Sequence, residues 1–192
     1  TGGKFISAEF TGDTNGVCTF TSEQAYQNVV DSTALASPSY VAYTGLNRLA
    51  VKLGTYGSEA AITGIRNASI RIERPQDVAR PGTPGAYPEP ISNDMVSVSG
   101  TLTADFENET WFNDRVLTEA STSLVIEWTN DTVIASTNYP TLRFKVPKVK
   151  FLEPVPEVGG PEILSAQVAF QGYLDTTNGL VLADYISTDT TL

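Results

Sequence analysis

Apolar and polar residues alternate along much of this chain with a period of two. The clearest run covers residues 96–106. There Val96, Val98, Leu102, Ala104 and Phe106 alternate with Ser97, Ser99, Thr101, Thr103 and Asp105, and Gly100 falls on the apolar side. Successive side chains of a strand point to opposite faces, so the run predicts a strand with one buried face and one hydroxyl-rich face. At ~3.3 Å per residue it would span about 35 Å, longer than most strands of compact domains.

The same rule marks further strands. Leu49, Val51 and Leu53 alternate with Ala50 and Lys52, and Ala68, Ile70 and Ile72 with Ser69, Arg71 and Glu73. Leu124, Ile126 and Trp128 alternate with Val125, Glu127 and Thr129, and Leu142, Phe144 and Val146 with Arg143 and Lys145. After Pro147 the apolar phase moves to Val149 and Phe151, which predicts a bulge or an edge position. A last long strand carries Leu164, Ala166, Val168 and Phe170. Asn178-Gly179 then predicts a tight hairpin, with residues 180–186 as its return strand.

Two short helices are expected between strands. Thr21-Ser22-Glu23-Gln24 has the form of a capping box leading into residues 25–30. Asn108 is a candidate N-cap for a helix over 109–120, with Phe112 and Val116 four apart on one face beside Trp111. Residues 74–93 are of another kind: Pro75, Pro81, Pro84, Pro88 and Pro90, with Gly82 and Gly85, oppose regular structure. Loops this long between strands carry function or are disordered. Val78, Tyr87 and Ile91 offer apolar anchors, so the segment reads as an arm that docks on a neighbour.

The two ends of the chain resemble one another. Ile6-Ser7-Ala8-Glu9, Phe10, Gly12, Asp13, Thr14, Asn15 and Gly16 correspond to Leu164-Ser165-Ala166-Gln167, Phe170, Gly172, Asp175, Thr176, Asn178 and Gly179. The second copy is longer by Val168-Ala169 and by Tyr173-Leu174. Insertions of two residues keep a strand's side chains on the same faces. One explanation is that residues 1–20 are the closing strand of an earlier copy of a domain; the other is two unrelated strands ending in Asn-Gly turns. The expected division is this strand, a helical linker over 21–45, and a β domain over 46–192. The first residue is Thr1 rather than Met, which fits a processed chain or a fragment.

Composition removes most chemistry. The 192 residues suit one large domain and carry a formal net charge of -10, no histidine and a single cysteine, Cys18. Without histidine, the usual general base, metal ligand and pH switch are missing. One cysteine allows neither an internal disulfide nor a multi-cysteine metal site. The acidic balance repels nucleic acid and anionic membranes at long range. No stretch is long and apolar enough to span a bilayer, and no secretion-signal pattern opens the chain. Carboxylate pairs such as Asp105 with Glu107 sit on the polar side of a strand end, where a solvated role is the simpler reading. The two Asp-Thr-(Thr-)Asn-Gly segments lack the oxygen spacing and closing Glu of a calcium loop. Lys145, Lys148 and Lys150 form a local basic stretch, read as an edge-strand guard or as partners for acidic neighbours. No catalytic, metal or cofactor site is expected, and no enzymatic activity.

The order of elements over about residues 46–175 resembles the tail tube (major tail) proteins of long-tailed bacteriophages. The resemblance runs through Leu46-Asn47-Arg48-Leu49-Ala50-Val51-Lys52-Leu53 and Ala68-Ser69-Ile70-Arg71-Ile72-Glu73-Arg74-Pro75. It continues in the long loop, the strand at 96–106, the segment around Trp111-Phe112 and the strand at Leu124. Tyr139-Pro140-Thr141-Leu142-Arg143-Phe144-Lys145-Val146-Pro147 and the strand at Ala166 complete it. It implies a mainly β fold: a β-sandwich or barrel-like core with one flanking short α-helix and a long proline-rich loop. It also implies a structural virion protein, made in the host cytoplasm, whose subunits form rings, commonly sixfold. The rings stack into a tube through which DNA passes without specific binding. Partners would be further copies of the chain and tail terminator or tip proteins, with no membrane insertion. On this resemblance Ser97, Ser99, Thr101, Thr103 and Asp105 are candidate lumen-facing residues. Pro75, Val78, Pro81, Pro84, Tyr87, Pro88 and Ile91 are the candidate inter-subunit arm. Rival readings are a ring-only tail-tip protein and a monomeric β-sandwich adhesin using Trp111, Tyr87 or Tyr139 as a sugar platform.

Overall fold

A computed structural model of the chain describes residues 3–26, 45–77, 91–92, 94–105, 121–134, 137–152 and 165–187. They form β1 (Gly3–Asp13), β2 (Thr19–Tyr26), β3 (Arg48–Gly54), β4 (Ala60–Ala61), β5 (Ile65–Glu73) and β6 (Gln76–Asp77). Then come β7 (Ile91–Ser92), β8 (Ser97–Asp105), β9 (Thr122–Thr129), β10 (Thr141–Phe151), β11 (Ser165–Gly172) and β12 (Leu182–Ile186). Ten strands make one sheet in the order β2-β1-β5-β8-β11-β10-β9-β3-β4, with β12 also on β10; β6 and β7 make a separate ribbon. Every pairing is antiparallel.

Period-two alternation predicts the faces correctly. Paired residues in an antiparallel ladder point to the same side, so register aligns whole rows. One inward row reads Phe20, Phe10, Ile70, Gly100, Phe170, and the next reads Gly12, Ala68, Leu102, Val168. The sheet curls so that β3, β9 and β10 cover this face. β3 meets β1 and β5, and the rings of Phe10 and Phe144 approach to 4.7 Å. One apolar cluster results, with Ile70, Val98, Leu102, Leu124, Ile126, Trp128, Val149 and Val168 wholly buried. The fold is therefore mainly β and barrel-like, with no helix among the described residues.

Three expectations change, and a fourth falls on residues the structure does not describe. Residues 21–26, expected to start a helix, are strand β2. β2 pairs with β1 in continuous register from Ser7↔Glu23 to Thr11↔Thr19, and that ladder outweighs a local capping signal. The expected flanking helix over 109–120 lies outside the described residues. The return strand after Asn178-Gly179 pairs with β10 rather than β11: Leu182–Ile186 takes the edge of residues 141–145, while β11 holds residues 149–151 of β10. Between the two partners the ladder of β10 with β9 slips between Val146 and Val149, the bulge expected at Pro147. Finally, Lys145 lies on a stretch of β10 paired on both sides, so it guards no edge.

Candidate assembly surface

The outward rows of β2, β1, β5, β8 and β11 form one polar face. They read Thr21, Glu9, Arg71, Ser99, Gln171, then Thr19, Thr11, Ser69, Thr101, Ala169, with Glu23, Ser7, Glu73, Ser97 beside them. Four of the candidate lumen residues, Ser97, Ser99, Thr101 and Thr103, thus share a surface with four other strands. Asp105 closes it opposite Ser165. Ser69 Oγ lies 2.9 Å from Thr101 Oγ1 and also accepts the Thr101 N–H at 3.2 Å. Arg71 bonds Glu73 at 2.6 Å and Glu9 at 3.5 Å. Those two carboxylates, Glu73 first, raise the Arg71 guanidinium further above neutrality. Arg66 pairs with Asp105 at 2.5 Å, and Asn67 hydrogen-bonds Asp13. Acidic side chains (Glu9, Asp13, Glu23, Glu73, Asp105) outnumber the basic ones (Lys4, Arg66, Arg71), so the face repels phosphate.

The root of the proline-rich segment is better ordered than its prolines imply. Gln76 pairs with Ser92 and Asp77 with Ile91, extending the β5–β8 hairpin as a ribbon. Pro75 is partly buried, and Ile91, Met95 and Val96 are exposed at this root. Val78, Pro81, Pro84, Tyr87 and Pro88 lie outside the described residues. Tyr139, the candidate sugar platform, is exposed on the segment entering β10; Trp111 and Tyr87 lie outside the described residues.

On the other half of the sheet the outward charges are paired. Glu127 meets Arg143 at 2.7 Å and Lys52 at 3.6 Å. Lys145 Nζ sits 3.2 Å from Glu59 and 4.2 Å from the centre of the Tyr56 ring. Glu59 also accepts from Ser123 Oγ at 2.7 Å and from Gly57 N–H at 3.1 Å. Burial raises the Glu59 carboxyl, but bonds from Ser123, its own backbone, Gly57 and Lys145 together outweigh it and hold it at about 2. Nothing in the sequence marks this cluster, in which Glu59 meets Ser123, 64 positions away, and Lys145 farther still.

A cleft of about 390 Å³ opens between the β1–β2 and β10–β12 ribbons, lined by Phe10, Cys18, Phe20, Leu46, Pro140, Leu142 and Tyr185. Burial pushes the Cys18 thiol up to about 11, so it is a poor nucleophile. Among the described residues no group of three or more His, Cys, Asp or Glu could hold a metal ion, and no helix is long and apolar enough to cross a membrane.

The family model for phage tail tube proteins matches residues 1–172. The chain belongs to the phage tail tube protein family. Its role is therefore structural, as a component of the virion tail, and the adhesin reading is not favoured. None of the curated proteins matches the chain. Three solved structures similar to this tail tube protein have low sequence identity. The anti-feeding prophage cap, which terminates its tube, is 17% identical and covers 81% of this chain and 97% of its own, at TM-score 0.45. An Hcp protein is 8% identical over 72% of this chain and 98% of its own, at TM-score 0.39. A mutant Hcp1 protein of E. coli is 14% identical over 71% and 97%, at TM-score 0.35.

Proposed function

We propose that the chain self-assembles into stacked rings, commonly sixfold in such proteins, whose polar face lines a channel for DNA. The observation that supports this most is the largely polar surface across β2, β1, β5, β8 and β11, set against an apolar inner face. A polar face also suits an antiparallel sheet that simply meets water. A conduit gains a wall to which phosphate does not adhere, because affinity for DNA comes chiefly from neutralising phosphate. Ser97, Ser99, Thr101, Thr103 and Asp105 are the proposed lining.

Open edges supply the joints. Among the described residues β2 pairs only with β1, and its residues are exposed except Ala25, with none of the lysine or proline that guards a lone edge. Head-to-tail joining of different edges closes into a ring when the rotation allows. Pro75, Val78, Pro81, Pro84, Tyr87, Pro88 and Ile91 form the proposed arm to a neighbouring subunit, rooted on the β6–β7 ribbon. Residues 1–20 remain the proposed closing strand of an earlier repeat. In support, β1 and β11 flank the same β5–β8 hairpin, with Phe10 and Phe170 in one row. A tail terminator or tip protein would meet the last ring, and assembly in the host cytoplasm precedes its use in the virion.

Negative-stain microscopy with mass photometry tests the reading. Rings or hollow tubes of uniform diameter are expected. A monomer at all concentrations and salt levels would refute it. Deleting residues 79–88 should abolish stacking while leaving the strand signal in circular dichroism intact.

A further inference from the structure

The chain carries the tripeptide Thr-Asn-Gly twice, as Thr14-Asn15-Gly16 in the β1–β2 turn and as Thr177-Asn178-Gly179 in the turn after β11. Identical flanking residues give the two asparagines the same intrinsic chemistry. An asparagine followed by glycine can lose its side-chain amide, because no Cβ shields the glycine nitrogen that attacks it. The fold puts the two copies in opposite settings.

Asn178 is tied down. Its side-chain Nδ2 donates to Asp175 Oδ1 at 3.2 Å, and its backbone N–H donates to the same oxygen at 2.8 Å. The Thr177 N–H adds a bond at 2.9 Å. These bonds, that of the Asn178 N–H first, hold the Asp175 carboxyl below its usual range, so it stays an acceptor. The attacking group is held as well. The Gly179 N–H donates to the Asp175 carbonyl at 2.9 Å, and the Asp175 N–H returns a bond to the Gly179 carbonyl at 3.1 Å.

Asn15 is not held. It is exposed, and its side chain makes no hydrogen bond among the described residues. The Gly16 N–H makes a longer bond, 3.2 Å to the Asp13 carbonyl. Either side of the pair is anchored, by the Thr14 N–H on the Arg66 carbonyl at 2.9 Å and the Cys18 N–H on the Leu46 carbonyl at 2.8 Å. Asn15 can therefore turn toward Gly16 without disturbing the strands. Water reaches it through a hollow of about 510 Å³ lined by Asp13, Thr14, Asn15, Gly16 and Arg66.

We propose that Asn15 is a site of spontaneous deamidation, and that Asp175 protects Asn178 from the same reaction. The Gly16 backbone nitrogen attacks Asn15 Cγ, and the new C–N bond closes a five-membered imide. The side-chain nitrogen leaves as ammonia, taking the proton of the Gly16 amide. Water then opens the imide at either carbonyl and gives aspartate or isoaspartate. Both products place a new carboxylate beside Asp13 and Arg66. Isoaspartate also routes the backbone through the side-chain carbon and so lengthens the β1–β2 turn. The inference does not depend on the tube reading.

The test is to age the full chain at neutral pH and follow both sites by mass spectrometry of proteolytic peptides, with isoaspartate detection. Product at Asn15 should accumulate roughly tenfold faster than at Asn178, the factor that one hydrogen bond to a charged group supplies. In urea the two sites should react at similar rates, because their tripeptides are identical. Asp175→Ala should raise the rate at Asn178 toward that at Asn15 and leave Asn15 unchanged. Should that variant not fold, the unsubstituted chain with and without urea decides the question. Equal rates at the two sites of the folded chain, or a faster Asn178, would overturn the proposal. An unchanged Asn178 in folded Asp175→Ala would overturn the protective role of Asp175.

Discussion

Gly100 on β8 lies directly beneath the ring of Phe170 on β11. A Cβ at position 100 would sit 2.5 Å from Phe170 Cζ and closer still to the Ser69 carbonyl oxygen. The glycine therefore interrupts the apolar run of β8 to admit a ring that closes the row Phe20, Phe10, Ile70, Gly100, Phe170. Its inward slot is occupied by a neighbour's side chain.

Gly100→Val should accordingly destabilise the fold by about 3 kcal/mol or more, the upper range for overpacking a well-filled core. Urea denaturation would read the loss as a lower midpoint at unchanged slope. Adding Phe170→Ala should recover only part of it, because the Ser69 backbone obstructs the same space. Full recovery would mean that the ring alone sets the constraint.

Glu59 should make stability depend on acid. Its side chain is 7% exposed and its carboxyl is held at about 2, against an ordinary 4.5. A depressed carboxylate contributes stability that is present above pH 4.5 and is lost as pH falls toward 2. The shift corresponds to at most about 3 kcal/mol. Glu59→Gln should lower stability at pH 7 and flatten its decline between pH 4.5 and 2. An unchanged pH profile would show that Lys145 and Ser123 do not hold the carboxylate.

The turn after β11 depends on one left-handed residue. Gly179 has φ of +86°, a conformation that β-branched side chains resist. Gly179→Val should cost about 2 kcal/mol and loosen the Asp175–Gly179 bridge. Hydrogen exchange at the Gly179 and Asp175 amides would report it, whereas the amides of β5 and β8 should keep their protection.

Lysines on the polar face should turn a non-adhesive wall into a DNA-binding one. Ser99→Lys with Thr103→Lys adds two positive charges to a surface whose acids outnumber its bases. Assembled tubes of this variant should retain short duplex DNA at low salt and release it as salt rises, with a log–log slope of about −0.9 per phosphate neutralised. Anisotropy of labelled DNA measures this. No retention by intact tubes would place the face elsewhere than the lumen.

Much of this architecture is legible residue by residue. The buried faces of β3, β5, β8, β9 and β11 follow from alternation, and the shift of phase at Pro147 marks the bulge of β10. The shared outward face of Ser97, Ser99, Thr101 and Thr103 is legible too, because they have one parity. β2 is not. Its Thr-Ser-Glu-Gln segment satisfies a helix cap, and only the ladder to β1 makes it a strand. The ion pair of Glu59 with Lys145 and the cleft of Phe10, Phe20, Leu142 and Tyr185 carry no local mark at all.

By itself the sequence determined which side of β3, β5, β8, β9 and β11 is apolar, where the main turns fall, and that these 192 residues carry no histidine. These are local properties, set by a period of two and by the conformations that proline and glycine permit. Tertiary structure alone decided the neighbours: β1 beside β5, β11 beside β8, and β10 shared between β11 and β12. An alternating strand is equally suited to any partner of matching polarity. The choice is made by side-chain volume across the core, as where Gly100 admits Phe170 and Gly12 admits Trp128, and by the closure of long loops between distant strands.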